Sequence, residues 1–127
     1  MNKLKLLAET TGAMDDAVFK DRYVRLNMDL ADLSALFSVY ADKVKRGETL
    51  GPDVSMLKIY ASELYQRITD AMLEVGGEYS GLLGSMEEDS RLNIGSAFLQ
   101  ARPSAIYSGS NEIQRGIVAK GWLNLPS

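Results

Sequence analysis

The chain has 127 residues, 46% of them hydrophobic, enough for one domain with an apolar core. A net charge of −3 offers no basic face to nucleic acid or an anionic membrane, and no apolar run reaches the ~18 residues that mark a membrane span. With no cysteine and no histidine, disulfide frameworks, thiolate nucleophiles, Cys-based zinc sites, HExxH metal helices, the usual His-dependent triads and Glu-x-x-His di-iron bundles are all excluded, leaving carboxylates, lysines and tyrosines for proton chemistry.

Residues 1–14 read as the end of a helix. Lys3 and Lys5 interrupt the leucines and Glu9 follows, so this is no signal peptide and a cytoplasmic location is expected. A long helix over 15–46 comes next. Phe19, Tyr23, Leu26, Leu30, Leu33, Phe37, Tyr40 and Val44 alternate spacings of four and three, an unbroken heptad-type stripe. Asp15 and Asp16 sit where a cap and first-turn acids belong, and Lys43, Lys45 and Arg46 sit at the electronegative end before Gly47. Gly51-Pro52-Asp53 opens a second helix over 53–75, with Val54, Leu57, Ala61, Leu64, Ile68, Ala71 and Val75 in the same register and Gly76-Gly77 as its stop. About five residues join the two helices, so they lie antiparallel and both stripes are expected to pack as core, together with the Met and Tyr residues beside them.

Residues 78–104 have no clean period. They read as an irregular segment with a short helix around Arg91 to Ala101. Neighbouring helical residues do not face one another, so Glu87-Glu88-Asp89 reads as a solvated face, and no metal site is expected. Gly76, Gly77, Gly81 and Gly84 make no GxGxxG after a strand, and no strand pattern occurs, so a dinucleotide fold is unsupported. A terminal helix spans 110–122, with Ser110 as N-cap, Glu112 in the first turn, and Ile113, Ile117 and Lys120/Gly121 on one face. The expected fold is all-α, an up-down helical bundle. The turn Ser108-Gly109-Ser110 places backbone N–H groups and a close-approach glycine at the mouth of the last helix, a place to hold an anionic or polar ligand.

The stretch from Ile106 to Ala119, with Tyr107-Ser108-Gly109-Ser110-Asn111-Glu112-Ile113-Gln114-Arg115 at its centre, closely resembles the C-terminal signature of the acyl-CoA dehydrogenases. Ser55-Met56-Leu57-Lys58 with Ala61-Ser62-Glu63, and Gly76-Gly77, extend the likeness over residues 15–126. The resemblance is greatest to bacterial members acting on steroid or other bulky CoA thioesters. It implies the C-terminal helical domain of an enzyme about three times longer, with an N-terminal helical domain and a β domain absent from this chain, which is expected to be inactive alone. In the family a carboxylate removes the α-proton of an acyl-CoA while the β-hydrogen leaves as hydride to FAD, with electron-transfer flavoprotein as the acceptor.

By that resemblance Tyr107, Ser108 and Gly109 line the thioester end, Ser110 and Glu112 touch the flavin ribose or adenine, and the Gly76-Gly77 backbone meets the FAD pyrophosphate across a subunit interface. Many members carry a Glu base between the Tyr and the Gly, where this chain has Ser108, and a serine with no histidine to activate it cannot serve. The base then sits on an absent preceding helix, or comes from a partner acyl-CoA dehydrogenase subunit, or the chain is inactive outright. Leu73 replaces a family Gln, and Ala13 and Val24 replace an Arg and a Gln, which weakens the flavin phosphate contacts from this subunit. Taken singly, Ser110 reads as a cap, Glu112 as a dipole partner, Gly76 and Gly77 as a helix stop and Arg115 as a surface ion-pair partner. Two functions stay open: part of an FAD-dependent acyl-CoA dehydrogenase, or a non-catalytic helical module that assembles with itself or a partner.

Overall fold

The computed structural model describes residues 1–81 and 93–126. These form five α-helices: α1 (Asn2–Thr10), α2 (Ala17–Lys45), α3 (Ser55–Gly76), α4 (Ile94–Ala101) and α5 (Asn111–Gly121). Single 3-10 turns at Ala13–Asp15, Pro52–Val54, Gly77–Gly81 and Arg102–Ala105 link them, and no strand occurs among the described residues. None of the helices is long and apolar enough to cross a membrane.

Local chemistry sets the ends. Asp16 caps α2, its carboxylate accepting from Val18 N at 3.0 Å in extended backbone. The helix closes past Arg46 at Gly47, whose φ of +76° a side chain would strain. The Asn93 side chain accepts from Ser96 N at 3.0 Å and so starts α4. The acidic run Glu87-Glu88-Asp89, with Gly84 and Arg91, lies outside the described residues.

The central helix is α3, which packs against each of the other four. Cross-links pair Arg22 with Glu74 and Asp29 with Arg67 between α2 and α3, and Tyr40 of α2 with Asp53 in the turn just before α3, so the helices run antiparallel. The same reasoning orients α5, where Asn111 meets Ser62 and Gly121 approaches Pro52. The core lies where α1, α2, α3 and α4 converge, around Leu4, Leu7, Phe19, Leu26, Leu64 and Ile94. Leu4 and Leu7 are fully buried, each worth about 1.5–3 kcal/mol relative to exposure, so α1 is an integral part of this core.

The two heptad stripes are only partly covered. On α2, Phe19, Leu26 and Tyr40 are buried, but Phe37 is 61% and Val44 57% exposed. Among the described residues α3 is the one helix that α2 packs against substantially, and one antiparallel neighbour cannot shield the far end of a stripe this long. On α3, Leu64 and Ala71 are buried while Ala61 is exposed. Besides Leu64, Ala71 and Met72, its buried positions are small: Ser55, Ser62, Thr69 and Gly76, each seven residues after the last. Ser62 meets Asn111, Thr69 meets Arg102, and Gly76 meets Ile94. A second packing face of small residues, which lets α4 and α5 come close, therefore runs beside the apolar one. The apolar face expected on the last helix also points the other way: Ile113 and Ile117 are exposed, and α5 buries Asn111 instead.

Candidate functional site

The terminal turn is positioned from both sides. Upstream, Arg102 clamps the end of α4 to α3. One guanidinium nitrogen donates to Gln66 O (3.3 Å), Thr69 Oγ1 (3.3 Å) and Asp70 Oδ1 (2.9 Å), and the group stacks 4.2 Å from the Phe98 ring centre. Gln66 returns its amide to Arg102 O at 3.2 Å. The chain then folds tightly around Pro103, whose carbonyl accepts from Ile106 N and Tyr107 N.

Ser108 and Gly109 follow with φ of +58° and +84°, two successive left-handed residues that swing the backbone into α5. Such a φ is uncommon for serine, and strain of this kind persists only where surrounding contacts hold it. Here the Ser108 carbonyl accepts from Gln114 Nε2 at 3.0 Å. A Cβ at Gly109 would stand 2.8 Å from that same nitrogen, so the position suits glycine on both φ and space. Ser110 is the extended N-cap, its hydroxyl near Ile113 N at 3.5 Å. Glu112 lies in the first turn. The Ser110 hydroxyl, then its own backbone N–H, and the Arg115 and Lys58 charges hold its carboxyl below the usual range.

Downstream the turn is seated by Asn111, 4% exposed. Lys58 Nζ donates to Asn111 Oδ1 at 2.7 Å, and Asn111 Nδ2 donates to Ser62 Oγ at 3.0 Å and reaches Glu63 Oε1 at 3.3 Å. Ser62 can pass its own proton to Ile59 O at 3.0 Å, so the chain of donors is complete. Arg115 closes the far side in an ion pair with Glu63.

Between this network and the turn lies an open hollow of about 290 Å³, lined by Lys58, Ala61, Ser62 and Tyr65 of α3 and by Ser104, Tyr107 and Ser108. That is at the small end for a small-molecule site. Its lining offers one ammonium, two phenols and three hydroxyls, and no carboxylate. Ser104 already donates to Ala101 O at 2.5 Å, and Ser108 Oγ bonds to no described residue. The hollow can orient a polar group by hydrogen bonds. It holds no group basic enough to take a carbon-bound proton.

Tyr107, Ser108, Gly109, Ser110 and Glu112 thus stand together, whereas Gly76 and Gly77 do not join them. Gly77 follows Ser62 by 15 residues, which at 1.5 Å per residue is about 22 Å along α3. Gly76 is a packing residue: a Cβ there would stand 2.6 Å from Ile94 Cδ1 and 2.7 Å from Ser80 Oγ. Gly77, with φ of +52°, opens onto space. Among the described residues no group of three or more Asp and Glu side chains converges to hold a metal ion. Nothing local in the sequence marks Asn111 as the anchor of the turn, or Lys58, Ser62 and Glu63 as the residues that seat it. The seven-residue recurrence of Ser55, Ser62, Thr69 and Gly76 was the signal for that second face.

Residues 7–123 match the family model described as acyl-CoA dehydrogenase, C-terminal domain. Among curated proteins the chain is similar to acyl-CoA dehydrogenase IpdE1 of Mycolicibacterium smegmatis, 34% identical over 123 residues that cover 94% of this chain and 29% of that protein. It is also similar to acyl-CoA dehydrogenase IpdE1 of Mycobacterium tuberculosis, 30% identical over 131 residues, covering 99% of this chain and 31% of that protein. The chain therefore spans roughly three-tenths of the length of these relatives. No solved structure gives a significant match.

Proposed function

This chain belongs to the acyl-CoA dehydrogenase C-terminal domain family, and from that premise we propose that it serves the α,β-dehydrogenation of an acyl-CoA thioester by supplying one wall of the thioester and flavin pocket and part of a subunit interface. The observation that carries the reading is the left-handed Ser108-Gly109 turn, clamped on both sides and opening into a hollow at an α-helix N-terminus. Tyr107, Ser108 and Gly109 would border the thioester, with the exposed backbone at the turn approaching the acyl carbonyl.

Two features fit FAD. Ser110 and Glu112 present a hydroxyl and a carboxylate at the mouth of α5, a donor–acceptor set suited to ribose hydroxyls. Gly77, at the far end of α3, offers exposed positive-φ backbone that the pyrophosphate of a partner subunit's FAD could approach without meeting a side chain. Bound FAD supplies the hydride acceptor. The protein's share is to hold the thioester, exclude water and remove the α-proton. Ser108 cannot do the last, because its hydroxyl has no base beside it, so the carboxylate comes from elsewhere in the assembled enzyme, on a preceding helix or a partner subunit. The acyl group would be a steroid-like or other bulky one, and electron-transfer flavoprotein would reoxidise the flavin. The chain on its own would be inactive.

The carboxylate-free hollow also supports a second reading, a helical module that assembles without doing chemistry. Purification of the full-length gene product with any adjacent-gene partner separates the two. The enzyme reading expects a yellow complex whose flavin is bleached anaerobically by a bulky acyl-CoA. A colourless complex that takes up no added FAD would sink it.

A further inference from the structure

Ser108 is held by one side chain of the helix it introduces. Its φ of +58° is uncommon for a residue with a Cβ, so a contact must hold it there. Among the described residues Ser108 makes a single hydrogen bond, its carbonyl accepting from Gln114 Nε2 at 3.0 Å. The backbone of Gln114 is itself fixed, because its N–H donates to Ser110 O at 2.9 Å, the bond that opens α5. From there the side chain lies back toward the helix N-terminus, as helical side chains do, and passes over Gly109. Its amide fills the space that a Cβ at Gly109 would take, only 2.8 Å away.

We infer that Gln114 is the positioning residue of the terminal turn. The peptide between Ser108 and Gly109 is a trans plane, so holding its carbonyl on the Gln114 side turns Gly109 N–H to the opposite side. That N–H donates to no described residue. Without the amide, Ser108 is free to relax toward the ordinary negative φ, which swings this plane and re-aims the backbone beside the hollow. Asn111 seats α5 as a body, and Gln114 sets the turn in front of it. The inference rests on the proposal that this backbone borders the thioester. One side chain of α5 then decides how the turn faces the substrate, acting through the turn rather than on the substrate itself.

Gln114→Met tests it, because methionine matches glutamine in length and helix propensity and lacks the donor. In the 127-residue chain, NMR relaxation should give order parameters of about 0.85 at Ser108 and Gly109 for wild type and below about 0.6 in the variant, with the amides from Ile113 to Ala119 unchanged. Gly109→Ala, whose Cβ would displace the amide without altering α5, should loosen Ser108 to the same degree, and it decides the matter if the methionine variant distorts α5. In the assembled, flavin-loaded enzyme, Gln114→Met should lower kcat for a bulky acyl-CoA about tenfold while KM and FAD content stay within about threefold, since a misplaced wall costs orientation rather than binding. A Ser108 that stays rigid in both variants, an α5 that loosens as much as the turn, or a kcat within about twofold of wild type would each overturn the inference and leave the flavin reading intact. A wild-type complex that takes up no FAD would overturn that reading, and the enzymatic role of Gln114 with it, while the relaxation measurement still reports whether Gln114 holds the turn.

Discussion

Replacing Asn111 by alanine isolates the contact that seats the terminal turn. The side chain is 4% exposed and links three residues of α3: Lys58 at 2.7 Å, Ser62 at 3.0 Å and Glu63 at 3.3 Å. Truncation removes a hydrogen bond from a charged donor, worth about 1.5–3 kcal/mol, and a neutral one, worth about 0.5–1.5 kcal/mol. Lys58 is only half-buried and can swing into water, which recovers part of the first, so the net loss should be about 2–3 kcal/mol. The loss should be local. The Arg115–Glu63 ion pair, being exposed, contributes little to holding α5, and Gly121 against Pro52 touches only its last turn.

Hydrogen exchange resolves this residue by residue. In Asn111→Ala the α5 amides should exchange about 30–150-fold faster, since each 1.4 kcal/mol of opening free energy is tenfold, while the α3 amides around Leu64 and Ala71 stay protected. If α5 exchange rises less than about threefold, Asn111 does not anchor the helix. If α3 loses protection equally, α5 is not a separable unit.

Gly76→Ala should cost about 1–3 kcal/mol in urea unfolding, because its Cβ would drive into Ile94 with Ser80 on the other side; an unchanged midpoint would show that α4 does not pack this closely. Tyr40 is buried with its hydroxyl donating to Asp53 at 2.9 Å, and burial first, then that bond and the Asp53 charge, push its pKa up to about 12. Its contribution to stability is therefore complete below the unfolded value of about 10 and lost as pH rises from there toward 12. Tyr60, raised chiefly by burial, adds in the same direction, and alkaline unfolding of Tyr40→Phe should show a shallower decline than wild type over that window. In the assembled enzyme, Ser108→Glu should raise dehydrogenation where no other base serves, within the roughly 10²–10⁴-fold that general bases supply; in a complex shown to lack another base, an unchanged rate would remove Ser108 from the base position.

Much of the fold was legible because its causes are local. The cap at Asp16 and the stop at Gly47 depend on a few adjacent residues, and the 3–4 spacing of apolar side chains makes an all-α chain evident without any partner in view. The terminal motif was legible as a family mark for a related reason: the positive φ at Gly109 favours glycine, and Ser110 caps the helix that follows. The site was less legible. Lys58, Ser62 and Asn111 are 49 to 53 residues apart in sequence wherever they bond, and no local pattern announces such a contact.

Spacing within a helix assigns residues to a face of that helix's own axis, and this much the sequence determined by itself, together with the family. Which face meets a neighbour is decided by how many helices stand around it. Phe37 and Val44 continue a faultless stripe yet remain uncovered, because among the described residues α3 is the one helix packed substantially against α2. Ile113 and Ile117 point outward because one buried amide, satisfied by three α3 side chains, holds the opposite side of α5 down. The tertiary structure alone set the Ser108 turn beside Lys58 and Ser62 and left Gly77 at the other end of α3, since that separation follows from where α4 and α5 dock along α3.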